Sequence, residues 1–387
     1  MPSWKAVISL AKQWVEPGKT IGMIGGGQLG RMMALSAKEA GYRIVVLDPS
    51  EDCPASQAAD MHIAAAYDDR DALLSLAQNS DVITYEFENI DSEALEWLCE
   101  RAHVPQGAEL IRITQDRILE KSALTASGVK VAPYHVIAER GILEERAGEL
   151  GFPCVLKTSR GGYDGKGQAV IRSREDIEQA AQLLEYGPCV LEAWVPFEKE
   201  ISVIIHRNSD GDTACLPVGE NIHVRNILHE TIVPARIGEH TAAAAVELAK
   251  KVADHLKLVG TLAVEMFLGH DGTLYVNELA PRPHNSGHYS IEACSISQFG
   301  QHIRAICNWP LRQPELLKPA VMVNILGQHM EKVLQAVKHH PDWSVHLYGK
   351  AEAKINRKMG HITILAEELE PVIAEIREHP IWRSREP

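Results

Sequence analysis

The chain is poor in aromatic side chains, 5% of 387 residues, and it has neither a long run of lysines and arginines nor a CxxC pair. Without a basic stripe, and with a formal net charge of −13, it repels a phosphate backbone, which argues against nucleic acid as a partner. The seven cysteines, at 53, 99, 154, 189, 215, 294 and 307, are too scattered for a zinc knuckle or a disulfide framework and read as reduced, mostly buried thiols. The first twenty residues offer only AVISLA between lysines, too short an apolar stretch for a signal peptide or a membrane span. A cytoplasmic protein with no membrane partner is expected. What is present is ordinary for a globular chain, 45% hydrophobic and 24% charged, at a length that calls for more than one core.

From Thr20 short apolar runs (TIGMI, RIVVLD, VITYEF) alternate with amphipathic stretches, the pattern of parallel strands joined by crossover helices. The fold class expected is therefore mixed: a doubly wound, Rossmann-like α/β unit over 20–112, then an α+β unit with antiparallel hairpins over 113–310, and a small α+β unit over 311–387. Residues 1–19 form an N-terminal extension whose conformation the pattern leaves open.

GMIGGGQLGRM follows the first strand and opens a helix, and Gly25, Gly27 and Gly30 satisfy GxGxxG, with Asp48 where a ribose-binding acid would sit. A dinucleotide, another phosphate, or simple helix-on-strand packing would each use these glycines. A second glycine cluster, SRGGYDGKGQ, lies between VLK and AVI. Glycines 161, 162, 165 and 167 let backbone N–H groups approach an anion, Lys157 stands just before them, and no Walker A pattern is present. The loop reads as the tip of a hairpin that covers a triphosphate, or as a plain surface hairpin.

GTLAVEMFLG, HDG and TLYVNELAPR form two strands around a tight turn, and folding about residues 271 and 272 sets Glu265 opposite Glu278. Two carboxylates side by side among apolar residues call for a divalent cation, and magnesium, with manganese as the alternative, suits two carboxylates plus phosphate oxygens. Asn277 adds an oxygen if the backbone bends there. The following loop gathers Arg282, His284, Asn285, Ser286 and His288 without an acid, a composition suited to an anion. Lys350, Lys354, Arg357 and Lys358 form a basic cluster in an otherwise acidic chain.

GGGQLGRM, YEFENI, TQDRILEK, GGYDGKGQ, VPFEKEISV, AVEMF, NELAPRPHNSGHY and RKMGH together resemble the ATP-grasp superfamily and, within it, the N5-carboxyaminoimidazole ribonucleotide synthetases of purine biosynthesis, from about Thr20 to about residue 366. The likeness departs at Ile355-Asn356, where the family has Pro-Gly. It implies a central ATP-grasp domain and ATP-dependent carboxylation of aminoimidazole ribonucleotide by bicarbonate, with a formate-using glycinamide ribonucleotide transformylase as the sibling alternative. It also implies a homodimer. By the same likeness Arg117, Lys157, Gly162, Tyr163, Asp164, Gly165, Lys166, Gly167 and Gln168 lie at the nucleotide phosphates. Glu192, Ala193, Trp194 and Val195 match the adenine hinge, Glu200 the ribose-binding acid, and Glu265, Asn277 and Glu278 the metal end of the nucleotide. Gln28, Leu29, Gly30, Glu86, Asn285, Ser286, His288, Lys350 and Arg357 match positions around the imidazole nucleotide, with Asp164, Arg282, Lys350 and Arg357 as the catalytic set.

Overall fold

The computed structural model describes residues 13–162 and 167–382. Its first sheet is parallel, with β1 (Thr20–Ile24), β2 (Arg43–Leu47), β3 (Met61–Ile63) and β4 (Val82–Tyr85) in the order β3-β2-β1-β4. Ile21, Met23 and Ile24 of β1 are fully buried, which is why TIGMI reads as a central strand. The turn after β1 requires glycine at position 25: its φ is +101°, and a Cβ there would stand 2.4 Å from Glu86 Cγ.

A second, antiparallel sheet holds β5 (Tyr134–Ile137), β6 (Cys154–Thr158), β7 (Gln168–Ile171) and β8 (Cys189–Ala193) in the order β5-β8-β6-β7. The expected glycine hairpin is β6–β7, with Lys157 paired to Gln168. After β7 the chain makes a single α-turn, Ile177–Ala180, continued by the tighter 3₁₀ stretch Ala181–Tyr186.

The third sheet has nine strands: β9 (Phe197–Arg207), β10 (Thr213–Cys215), β11 (Gly219–Val224), β12 (Ile227–Val233), β13 (Gly260–Gly269), β14 (Leu274–Ala280), β15 (Ala320–Leu326), β16 (Trp343–Leu347) and β17 (Lys358–Leu365). Their order is β14-β13-β9-β11-β12-β15-β17-β16, with β10 on β9. The strands of the C-terminal unit therefore do not build a sheet of their own. Four residue pairs from Glu230–Val323 to Val233–Ala320 sew β15 onto β12.

The hairpin β13–β14 pairs Glu265 with Glu278, but by a different route from the one the sequence suggests. Leu268 faces Leu274 and Met266 faces Val276, so the turn is centred on Asp271, half a residue earlier than expected. Continued unbroken, that register would oppose Glu265 to Asn277. A bulge at Asn277 absorbs one residue and restores the carboxylate pair. The bulge is fixed from outside the hairpin: Val276 N–H donates to Lys130 O at 2.8 Å, and Lys121 Nζ donates to Asn277 O at 3.0 Å.

Candidate active site

Glu265 sits on the central strand β13 with its side chain 18% exposed, and Glu278 on the edge strand β14 is more open at 44%. Burial first, and then the neighbouring Glu278, push the Glu265 carboxyl well above the ordinary range. Arg117 NH1 lies 3.6 Å from Glu278 Oε2, and His284 Nε2 lies 3.3 Å from Glu265 Oε1. Two hard oxygen donors on one ladder, the inner one held up by burial and by like charge, fit a divalent cation. Among the described residues no three His, Cys, Asp or Glu side chains converge as a closed metal cage. The pair therefore fits magnesium completed by phosphate oxygens and water rather than an all-protein site.

The cations beside this pair come from one helix and one strand. The helix Arg117–Ala126 begins where Asp116 accepts from Ile118 N–H at 2.9 Å and Arg117 N–H donates to Ser159 O at 2.9 Å, which binds it to the end of β6. Lys157 on β6 reaches Glu192 Oε2 on β8 at 3.1 Å, and the fully buried Lys121 reaches the same oxygen at 3.4 Å. Burial pulls the Lys157 ammonium down while Glu192 holds its proton on. Glu192, whose burial alone would raise it, is kept below the ordinary carboxylate range by Lys157 and then Lys121. Its Oε2 thus anchors two lysines. Ala193 N–H is already donated to Pro133 O, and Trp194 is half exposed beyond it. Val195 follows at once in the link to β9, on which Glu200 is paired with His223 at 2.6 Å. Against the cost of burial, that carboxylate lifts His223 above its usual range.

At the other end of the cleft, the helix Gln28–Glu39 has glycine, not a capping side chain, at its N-cap. The missing cap comes from the end of β4. Glu86 accepts from the N–H of Gly27 and, at 2.6 Å, from that of Gly30, and Asp48 accepts from Gly26 N–H at 2.8 Å. The amides that a dinucleotide pyrophosphate would use are thus filled by the chain's own acids. Leu29 is buried in the helix, and Gln28 lies at its mouth. Arg282 forms a two-pronged pair with Glu88, with NH2 at 2.9 Å from Oε1. Ser286 and His288 face inward: Ser286 Oγ meets Ser202 and His284 at 2.9 Å each, and His288 Nδ1 meets Gln298 at 2.9 Å. Asn285 is different, since both ends of its side-chain amide are buried without a partner among the described residues.

Lys350 donates to Lys358 O at 2.8 Å, and burial, then Arg357, pull it down to about 8. Arg357 is exposed, with NH1 on Glu352 O at 2.9 Å. Asn356 takes φ +64°, a left-handed conformation that asparagine tolerates. Of the glycine hairpin, Gly162, Gly167 and Gln168 are in place, Gly167 O accepting from Thr158 N–H at 2.9 Å. Tyr163, Asp164, Gly165 and Lys166 lie outside the described residues.

Sequence reasoning missed Lys121, Glu120 and Glu88. Arg117, Glu120 and Lys121 stand at i, i+3 and i+4 of one helix, a spacing that puts them on one face and was available as a signal. Glu120 is buried, accepts from Leu279 N–H at 2.7 Å, and is raised to about 7 by burial and then Glu278.

Comparison with known proteins agrees along the chain. Family models match as a ribonucleotide synthetase preATP-grasp domain over 18–115, an ATP-grasp domain over 122–299 and a phosphoribosylaminoimidazole carboxylase C-terminal domain over 320–375. The N5-carboxyaminoimidazole ribonucleotide synthase of Bacillus subtilis (strain 168) is 54% identical over 354 residues, 92% of this chain and 93% of the relative. A crystal structure of an N5-carboxyaminoimidazole ribonucleotide synthetase with ADP superposes with a TM-score of 0.93 at 56% identity, covering 96% of this chain and 98% of the other. The Aspergillus clavatus synthase, solved with ADP and 5-aminoimidazole ribonucleotide, gives a TM-score of 0.85 at 34% identity, covering 94% and 97%. At this identity and coverage the chain belongs to the N5-carboxyaminoimidazole ribonucleotide synthase family of ATP-grasp ligases.

Proposed function

We propose that the chain carboxylates 5-aminoimidazole ribonucleotide with bicarbonate at the expense of ATP, giving the N5-carboxylated nucleotide, ADP and phosphate in purine biosynthesis. The observation that carries this reading is the Glu265–Glu278 pair with Arg117, Lys121 and Lys157 beside it, inside a chain of this family. A bicarbonate oxygen attacks the γ-phosphorus, the bond to the β–γ bridging oxygen breaks, and carboxyphosphate and ADP form. Carboxyphosphate then breaks its C–O bond to release phosphate and CO2, and the exocyclic amine bonds to the CO2 carbon and gives up a proton. Such a transfer needs positioned charge more than covalent help. Magnesium or manganese held by Glu265 and Glu278 would supply it at the β and γ oxygens, Lys157 and Arg117 supply it from the protein, and Arg282 neutralises the bicarbonate end. Lys350, Arg357, Asn285 and Asp164 hold the imidazole nucleotide, with Glu86 at the mouth of the glycine turn. Trp194 and Val195 receive the adenine, and Glu200 the ribose. The working form is a cytoplasmic homodimer.

The test is phosphate release from ATP with defined co-substrates. Turnover that needs both aminoimidazole ribonucleotide and bicarbonate supports the reading. Turnover with glycinamide ribonucleotide and formate instead moves the chain to the sibling reaction.

A further inference from the structure

We propose that His302 is a positioning residue that ties the substrate-side strand β4 to the metal-side strand β13, so that occupation of the imidazole-nucleotide site and phosphoryl transfer stay coupled. The inference rests on the functional reading above and goes beyond it, because His302 lies away from the reacting groups. His302 belongs to the helix Gln298–Ile306, which packs against the helix Gln28–Glu39 on one side and β13 and β9 on the other.

Its ring joins two threonines. Nε2 lies 2.8 Å from Thr84 Oγ1 on β4, and Nδ1 lies 3.0 Å from Thr261 Oγ1 on β13. Thr84, Thr261, His206 and His302 are all fully buried. The direction of the chain follows from donor arithmetic. Thr84 hydroxyl donates to Gln106 Oε1 at 2.6 Å, so toward His302 it can only accept, and His302 carries its proton on Nε2. Nδ1 is then an acceptor and takes the Thr261 hydroxyl proton. Thr261 accepts in turn from His206 Nδ1–H at 2.9 Å, His206 being its direct neighbour on β9. The chain ends on His206 Nε2, a buried acceptor without a partner among the described residues. Burial pushes both rings down to about 3, so neither carries charge at neutral pH and every donor in the line is used once.

The positions of the anchors give the chain its meaning. Thr84 stands two residues before Glu86, which caps the glycine turn, and Thr261 stands four residues before Glu265 on the same face of β13. Gln298, one turn before His302, grips the loop between them, accepting from His284 N–H at 2.8 Å and donating to His284 O at 2.7 Å. Gly260 makes room for the bridge: its φ is +99°, and a Cβ there would press within 3.2 Å of Gln106 Cγ and 3.3 Å of His302 Cε1. One short helix thus holds three parts of the site in register, and its His302 side chain hydrogen-bonds to both strands.

The test uses the full chain and three single variants, Thr84→Val, Thr261→Val and His302→Asn, with the Thr84→Val/Thr261→Val double. Asparagine keeps an acceptor near the Nδ1 position and loses the bond to Thr84. Each single variant should lower kcat/KM for aminoimidazole ribonucleotide about tenfold, or about 1.4 kcal/mol, and raise ATP hydrolysis without that substrate by a similar factor, with KM for ATP within about twofold. The double should be no worse than its poorer single, since either break opens the same bridge, and Thr84→Ser should restore coupling. Variants that remain tightly coupled, a double near a hundredfold, or equal losses for both substrates would overturn the inference. Should His302→Asn fail to fold, Thr84→Val carries the test alone. A wild type without turnover on this substrate sinks the functional reading and the inference together, whereas a competent wild type with coupled variants sinks the inference only.

Discussion

Replacing Lys121 with methionine removes a buried cation while leaving most of its stem volume filled. Two bonds go with it, the 3.4 Å pairing to Glu192 Oε2 and the 3.0 Å bond to Asn277 O at the bulge. An orphaned buried carbonyl costs about 1–3 kcal/mol. Breaking a buried ion pair outright costs about 3–5 kcal/mol, but Glu192 keeps Lys157 at 3.1 Å, so only part of that cost applies. The expected loss is about 3 kcal/mol. In urea unfolding followed by tryptophan fluorescence, with a slope of about 3 kcal/mol per molar, the transition midpoint should fall by about 1 M. KM for ATP should rise as well, because the bulge that sets Glu278 loses its tether. The double variant with Glu192→Gln should be less destabilised than the sum of the singles. A midpoint change below about 0.3 M with KM for ATP unmoved would refute the claim that Lys121 fixes the carboxylate ladder.

Glu278→Gln should abolish substrate-stimulated ATP turnover while circular dichroism stays that of the wild type, since the amide keeps the side chain's size and loses the charge that faces the cation. Lys350 gives a pH dependence. Held down to about 8 by burial and Arg357, it loses its cation as pH rises through that value, so kcat/KM for aminoimidazole ribonucleotide should fall above about pH 8, and Lys350→Arg should shift that descending limb upward. Asn285→Ala should leave the unfolding free energy within about 1 kcal/mol of wild type, because the amide it deletes has no partner among the described residues, yet raise KM for the imidazole nucleotide about tenfold.

The parts of the site that were legible in the sequence are those written in local residues. GTLAVEMFLG-HDG-TLYVNELA announces a hairpin through its own alternation and turn, and the glycines before Gln28 and around Gly162 mark backbone turns by their chemistry. The bulge was not legible, because its causes, Lys121 Nζ and Lys130 O, come from far along the chain. Strands β11 and β12 escaped for a different reason. Glu220, Asn221, Glu230 and Thr231 are buried polar residues that break the apolar pattern, and for Glu220 the compensation, Arg236 at 2.6 Å and Lys199 at 3.1 Å, appears only once the chain is folded. The joining of β12 to β15 rests on pairing between residues 87 to 93 positions apart, which no local period encodes.

The continuity of the nine-stranded sheet decides where motion has to occur. Its edge hairpin carries the acid pair, and near its far side β17 begins at Lys358, whose carbonyl steadies Lys350. The acid pair and the strand that steadies Lys350 are therefore parts of one sheet, and prising them apart would tear a ladder of backbone bonds. Relative movement is then left to the antiparallel four-stranded sheet β5–β8, which the chain enters through residues 127–133 and leaves through residues 194–196.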